Sequence, residues 1–387
     1  MNIKANKISA IILIVIAIAI SFIAGKNFME QRQVPEVKAG PGVTEVKMLS
    51  EYFDGLKDTA MDTPIYVMEG KEPGGKYLIL GGTHPNEPAG YMSAIVMIQN
   101  AMVEKGTVYV IPYTNRSAMS HNDPQEGAPQ KINFPTKDGK IVTYNYGSRA
   151  TNPLDQWPDP DVYTHAASGQ TLSGSETRNI NRAYPGRPDG NITEKAAYAI
   201  AELIRQEKID LEVDLHEASP EYPVINATVA HERAMPVAAG GVINLQMQGI
   251  AMALEPSPVN LHGLTHRELG DYTETLALLM ETSNPSQGRI RGATNEDLAL
   301  KGKDKAYLKA SELKFLFVPY DEKGHPIELR VGRHLQGIKE HLASYNNLYS
   351  DRQIEYTGVP TYEELFLNAN EDELGGKKLG EYLLSNE

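Results

Sequence analysis

Tyr77-Leu78-Ile79-Leu80-Gly81-Gly82-Thr83-His84-Pro85-Asn86-Glu87-Pro88 is the stretch on which the reading of the fold turns. Four apolar, strand-prone residues stop at two glycines, and the loop that follows carries an imidazole and a carboxylate three residues apart. That spacing lets both side chains converge on one ion from a single turn. The H-x-x-E pattern recurs by chance in many proteins; its position at the end of a strand gives it meaning.

Outward from this stretch, short β-rich runs recur at Val108–Ile111, Leu211–Leu215, Val224–Val229, Leu276–Met280 and Phe315–Val318. Helix-length segments lie between them. Thr193–Lys208 places Ala197, Ile200, Leu203 and Ile204 at helical spacing, a stripe that reads as core, and two more helices are expected over 90–104 and 238–254. Alternation of this kind predicts an α/β fold with a mixed, largely parallel sheet flanked by helices, in which ligands bind at the carboxyl ends of the strands. The segment 113–192, rich in Asn, Asp, Pro, Gly and Ser, is too long for an inert connection and reads as functional.

Of 387 residues, 37 are Lys or Arg and 50 are Asp or Glu, a net charge of −13, without a basic run. Such a chain is not expected to bind nucleic acid, which needs a basic surface to neutralise phosphate. The lack of cysteine excludes a thiol nucleophile and any Cys-held zinc or iron–sulfur centre, so metal ligands must come from His, Asp and Glu.

Ile8 to Gly25 is an uncharged, Ile/Ala/Val-rich run preceded by Lys4 and Lys7. As a helix it would be about 27 Å long, near the thickness of a bilayer core. It reads as an export signal or membrane anchor. The best cleavage site, Ala19-Ile20-Ser21, falls inside the run, which favours an uncleaved anchor. The basic residues before it favour an outside, extracytoplasmic location for the globular part. The expected organisation is an anchor over 1–26, a Pro/Gly-bearing linker over 27–50, a catalytic domain over 51–350, and an acidic, peripheral tail over 351–387.

A second strand, Leu211–Leu215, is followed directly by His216. His84, Glu87 and His216 would leave one coordination position open to water, the arrangement of catalytic zinc, and calcium would not choose two imidazoles. Asp214 shares the His216 face of its strand by period two, and it either orients an imidazole or caps a turn. Glu217 should point the other way.

In these motifs the sequence resembles the zinc carboxypeptidase superfamily, and within it the succinylglutamate desuccinylase and aspartoacylase branch. That signature is H-x-x-E after a strand, an Asn-Arg pair, a single His after a strand, and a Glu on a late strand. Here it is matched in order by His84 and Glu87, Asn181-Arg182, His216, and Glu281, spanning 84–288 with the closing Pro285-Ser286-Gln287-Gly288.

The resemblance implies the zinc carboxypeptidase-like phosphorylase/hydrolase fold and one Zn²⁺ per chain on His84, Glu87 and His216. The ion would lower the pKa of a bound water from 15.7 to about 7. Glu281 would then take that water's proton and hand it to the leaving nitrogen. Asn181 and Arg182 would hold a substrate carboxylate, Arg182 through its planar fork. A guanidinium beside the metal would stabilise the oxyanion, and both Arg149 and Arg178 qualify. On an extended strand Arg178 would face away from Asn181, which favours Arg149. His262, His266, Arg267 and Tyr272, just before Glu281, stay unassigned.

The function expected is a membrane-tethered zinc hydrolase that cleaves an amide next to a free carboxylate, as an N-acyl amino acid deacylase. The alternatives are a carboxypeptidase acting on short or cell-wall peptides outside the cytoplasm and a tethered binding protein that has lost catalysis.

Overall fold

The computed structural model describes residues 3–123 and 127–385. Helix α1 (Ile3–Gln31) comes first, and its most apolar 18-residue window has mean hydropathy 2.9 and is wholly exposed. It is long and apolar enough to cross a membrane. The domain then runs β1 (Glu45–Met48), β2 (Pro64–Glu69), β3 (Glu72–Leu80), α2 (Pro88–Asn100), β4 (Met102–Ile111), β5 (Lys131–Pro135), β6 (Ile141–Asn145), β7 (Val162–Thr164) and β8 (Thr171–Ser173). It continues through α3 (Ile192–Glu207), β9 (Leu211–Ala218), β10 (Ala227–Ala230), α4 (Met235–Met247), β11 (Ala253–Pro256), α5 (Thr265–Tyr272) and β12 (Leu276–Ser283). Last come α6 (Glu296–Lys301), α7 (Lys305–Glu312), α8 (Ile327–Leu348), β13 (Glu355–Thr357) and α9 (Lys377–Gly380).

One nine-stranded mixed sheet organises the chain, in the order β1-β2-β4-β3-β9-β12-β10-β11, with β13 added beside β4. Its centre, β4-β3-β9-β12, is parallel, and the antiparallel pairings lie towards the edges. Helices cover both faces, as parallel strands require. Leu211, Val213 and Leu215 of β9 point into the core under α2 and α8, while the alternate residues Glu212, Asp214 and His216 face the other way. Both faces of β9 are buried, but only one is apolar; the other carries the site.

Helix α3 starts at a capping box, in which Asn191 accepts from the Glu194 N–H and Glu194 answers the Asn191 N–H. Its buried stripe includes Ala197, Ile200, Leu203 and Ile204. Helix α2 starts with Pro88 directly after Glu87. Gly90 lets that first turn come close to β9, since a Cβ there would lie 2.4 Å from the Leu215 carbonyl oxygen. Gly82, at φ +64°, turns the chain sharply between β3 and the His84 loop.

The stretch 27–50 is not a free linker: α1 runs on to Gln31, Val37 is buried, and β1 pairs with β2. Its glycines serve contact: Gly40 and Gly42 permit close backbone packing on Gln99 and Ala101. The stretch 351–387 is not peripheral, since β13 joins the sheet and Leu365, Leu379 and Leu383 are buried. Two of its acids are local caps, Glu364 answering the Thr361 N–H and Glu373 that of Asn370, while Glu371 and Glu381 pair with Lys303 and Lys378. Residues 1–2 and 386–387, the outer ends of the expected anchor and tail, lie outside the described residues.

Phe315–Val318 is not a strand. It follows Lys314 at φ +60°, has no strand partner, and exposes Phe315 and Phe317. Val224–Val229 is a strand only from Ala227, and the helix expected over 238–254 lies over Met235–Met247. The long segment 113–192 contains two small ribbons, β5–β6 and β7–β8, joined by turns. It borders the carboxyl ends of the central strands and delivers Arg149, Asn179, Asn181 and Arg182 to them.

Candidate metal centre and active site

The ends of β3, β9 and β12 meet in a cleft of ≈ 680 Å³ lined by His84, Glu87, Arg149, Asn181, Arg182, His216 and Glu281 among others. A ligand atom from each of His84, Glu87 and His216 lies within 4.8 Å of those of the other two, and all three residues are buried. His84 Nδ1 is 2.9 Å from Glu87 Oε1, and His216 Nδ1 is 3.0 Å from Glu87 Oε2.

The outer nitrogens of both rings are engaged. His84 Nε2 lies 2.9 Å from Asn179 Oδ1. The orientation of that amide is set by its other bonds, because Oδ1 accepts from the Asn181 N–H and Nδ2 donates to Glu176. His84 Nε2 must therefore carry the hydrogen. Burial, helped by the Arg149 charge, lowers the His84 pKa to about 4, so the ring is neutral near pH 7. Its bare Nδ1 then faces Glu87 Oε1, acceptor against acceptor, a pairing that a cation relieves.

His216 Nε2 donates to Asp214 Oδ2 at 2.8 Å, and Asp214 also accepts from Thr83 (2.6 Å) and Thr265 (2.5 Å). Of the two readings of Asp214, this is the one that orients an imidazole, the usual support for a metal-bound histidine. Burial opposes charge on His216, but the Asp214 and Glu87 carboxylates outweigh it and hold the ring's pKa well above 6.5. Burial likewise opposes charge on Glu87, and the two imidazoles overcome it, keeping its carboxyl well below the usual range. A carboxylate and two imidazoles directed inward, with their outer nitrogens tied back, fit a divalent ion.

Glu281 stands beside His216 in the parallel register of β12 and β9, and so on the same face. It is partly exposed to the cleft, yet its Oε2 is enclosed without a hydrogen-bond partner among the described residues. Burial, reinforced by the Glu87 charge, pushes its pKa up to about 8, against the pull of His216 and Arg149. A carboxyl group held this way is suited to exchanging protons near neutral pH.

The two candidate arginines separate clearly. Arg149 Nη1 lies 3.6 Å from Glu87 Oε1 and 3.4 Å from His84 Nδ1, with its side chain partly open to the cleft. Arg178 is bound through Nε and Nη2 to Asp159 and donates to the Thr151 carbonyl, so it holds the loop. The chain at 174–182 forms tight turns, not the extended strand on which the sequence comparison of these two relied. Among the described residues Arg182 has one ion-pair neighbour, Glu176 at 3.9 Å, and it donates to the Asn181 carbonyl. Burial and the Arg149 charge lower its pKa, the mark of a cation short of anionic partners. Asn181 Oδ1 accepts from the Thr265 N–H, which locks its side chain.

Glu217 points to the opposite face, as alternation requires. It accepts from the Ala89 N–H and forms a fully buried ion pair with Arg330 of α8 at 2.6 Å. His266 is buried against Ser257, His262 pairs with Glu268, and Tyr272 is exposed at the far end of α5. Arg267 ties Glu232 to Asp271 in a surface group that includes His231. Sequence reasoning missed Asn179, Thr83 and Thr265, which orient the ligands. Asn179 and Thr83 adjoin the motifs, but a polar side chain's partner cannot be read from adjacency.

No protein-family model and no curated protein sequence matches the chain. Solved structures do. A succinylglutamate desuccinylase from Silicibacter is 16% identical, with 59% of this chain and 55% of that one covered at a TM-score of 0.36. The product-bound cell shape determinant protein Csd4 from Helicobacter pylori is 13% identical, with 80% and 58% covered at 0.44. A metallo-carboxypeptidase from Burkholderia cenocepacia is 11% identical, with 80% and 66% covered at 0.43. The chain spans 51–55% of the length of the first three structures matched.

Proposed function

We propose that the protein is a zinc-dependent hydrolase, with one ion on His84, Glu87 and His216, that cleaves an amide bond next to a free carboxylate in N-acyl amino acids. The observation that carries this reading is the pair of inward Nδ1 atoms facing Glu87, their outer nitrogens held by Asn179 and Asp214, with the partner-less Glu281 oxygen in the same cleft. When bound, the ion would polarise the scissile carbonyl and acidify the attacking water. Glu281 takes the water's proton as the oxygen adds to the carbonyl carbon. The same carboxyl then returns the proton to the nitrogen as the C–N bond breaks, which yields an acid and an amine. Arg149 faces the oxygen that gains charge, and Arg182 with Asn181 grips the free carboxylate.

A second reading, trimming of short peptides outside the cytoplasm, is favoured by α1, whose exposed apolar length suits a membrane anchor with the catalytic domain beyond it. Metal analysis of the purified full chain, followed by turnover of a panel of N-acyl amino acids and peptides, tests both. Stoichiometric zinc with hydrolysis of either class supports a hydrolase and chooses between them. Metal-loaded protein that turns over neither would make it a tethered binding protein.

A further inference from the structure

Glu255 of β11 lines the same cleft and takes no part in the chemistry above. The strand register runs Asp214 to Leu279, Leu279 to Val229, and Val229 to Glu255, so these four share one face across β9, β12, β10 and β11. Val229 and Leu279 form an apolar floor between the metal end and Glu255, with Leu261 and Leu264 also on the wall. Glu255 is half-buried and makes no hydrogen bond or ion pair with any described residue. A carboxylate in a cleft is costly to desolvate unless a cation joins it, and the described residues supply none.

Resting on the hydrolase reading of the cleft, we propose that Glu255 selects substrates in which the residue bearing the free carboxylate has a long side chain ending in an ammonium group. Glu255 lies two strands across and two residues back from Glu281. At roughly 4.8 Å per strand and 3.4 Å per residue that is about 12 Å between backbones. A side chain of lysine length and the Glu255 side chain, reaching towards each other, cover this span. Its methylenes would lie on Val229 and Leu279, its ammonium on Glu255, and its α-carboxylate on Arg182. The cleft thus carries positive charge where the carboxylate binds, an apolar middle, and a negative end.

The test compares lysine with norleucine, which has the same straight four-carbon chain without the ammonium. Binding of both amino acids, in both enantiomers, to the full chain in detergent is measured by calorimetry with and without zinc. The ratio of kcat/KM for N-acyl-lysine over N-acyl-norleucine is measured beside it. Lysine should be favoured ten- to hundredfold, as for a partly desolvated charge pair. Glu255→Gln should bring both ratios to about one through Kd and KM, and Glu255→Lys should turn the preference towards an acidic side chain. A merely structural role would weaken lysine and norleucine alike and leave the ratios unmoved. Equal binding by the unaltered chain, or a preference that survives in Glu255→Gln, overturns the proposal. Lysine-selective binding lost in Glu255→Gln, without hydrolysis of either substrate, would sink the hydrolase reading and leave this site standing.

Discussion

Replacing Glu281 by Gln keeps size and packing but removes the proton. Burial holds this carboxyl's proton up to about pH 8 in the folded chain, against an ordinary value of 4.5. Between those values the folded state binds more protons than the unfolded one, so the wild-type chain loses stability as pH rises, and the Gln variant does not share that loss. At 1.36 kcal/mol per pH unit, the cost to the wild type is about 1.4 kcal/mol at pH 5.5 and about 5 kcal/mol at pH 9. Denaturant unfolding of both chains with chelator present should therefore show the stability gap moving by about 3 kcal/mol in favour of Glu281→Gln over that interval. With zinc restored, metal content should be unchanged while turnover falls by about two orders of magnitude or more, as expected for one positioned acid–base group. A gap that does not change with pH would refute the buried, partner-less carboxyl. Near-normal turnover would move the base elsewhere.

His84→Ala and His216→Ala should each abolish zinc binding and activity, measured by metal analysis of the purified variants, because two remaining ligands compete poorly with water. Arg149→Ala should lower kcat while leaving the melting temperature nearly unchanged; Arg178→Ala should do the reverse, since Arg178 braces Asp159 and Thr151. Arg330→Met should cost about 3–5 kcal/mol in a denaturant titration by stranding the buried Glu217 carboxylate, and a loss below 1 kcal/mol would contradict that account. Removal of residues 1–26 should leave a soluble chain with a cooperative melt, because the part of α1 hydrogen-bonded to the domain is at Gln31.

Strands β3 and β12 were legible from the apolar runs Tyr77–Leu80 and Leu276–Met280, and β9 from the alternation of Leu211, Val213 and Leu215 with acids, although β9 and β12 run on to Ala218 and Ser283. His84, Glu87 and His216 were legible as candidates because His84 and Glu87 follow β3 in one loop and His216 follows the alternating run of β9, just before that strand ends at Ala218. Stretches whose order depends on a partner far along the chain were not legible. The Pro/Gly character of 27–50 looks the same whether glycine serves flexibility or close approach to Gln99 and Ala101. Leu365, Leu379 and Leu383 lie too far apart to show a period, yet all three reach the core. Phe315 and Phe317 alternate as in a strand, but no strand among the described residues pairs with them, and the Phe317 N–H reaches the Pro220 carbonyl instead. Strand β11 is four residues long, so Glu255 carried no signal at all.

By itself, then, the sequence determined which residues could hold an ion and that they would gather towards the carboxyl ends of buried strands, because hydrophobic periodicity and residue chemistry are local properties. Tertiary structure alone decided the rest. It placed Arg149 at the ligands and Arg178 on Asp159, gave each histidine its outer partner, left one Glu281 oxygen without any, and brought Glu255 to the far end of the cleft. These are relations between side chains from separate strands and loops, and only strand register and packing, which close such distances, set them.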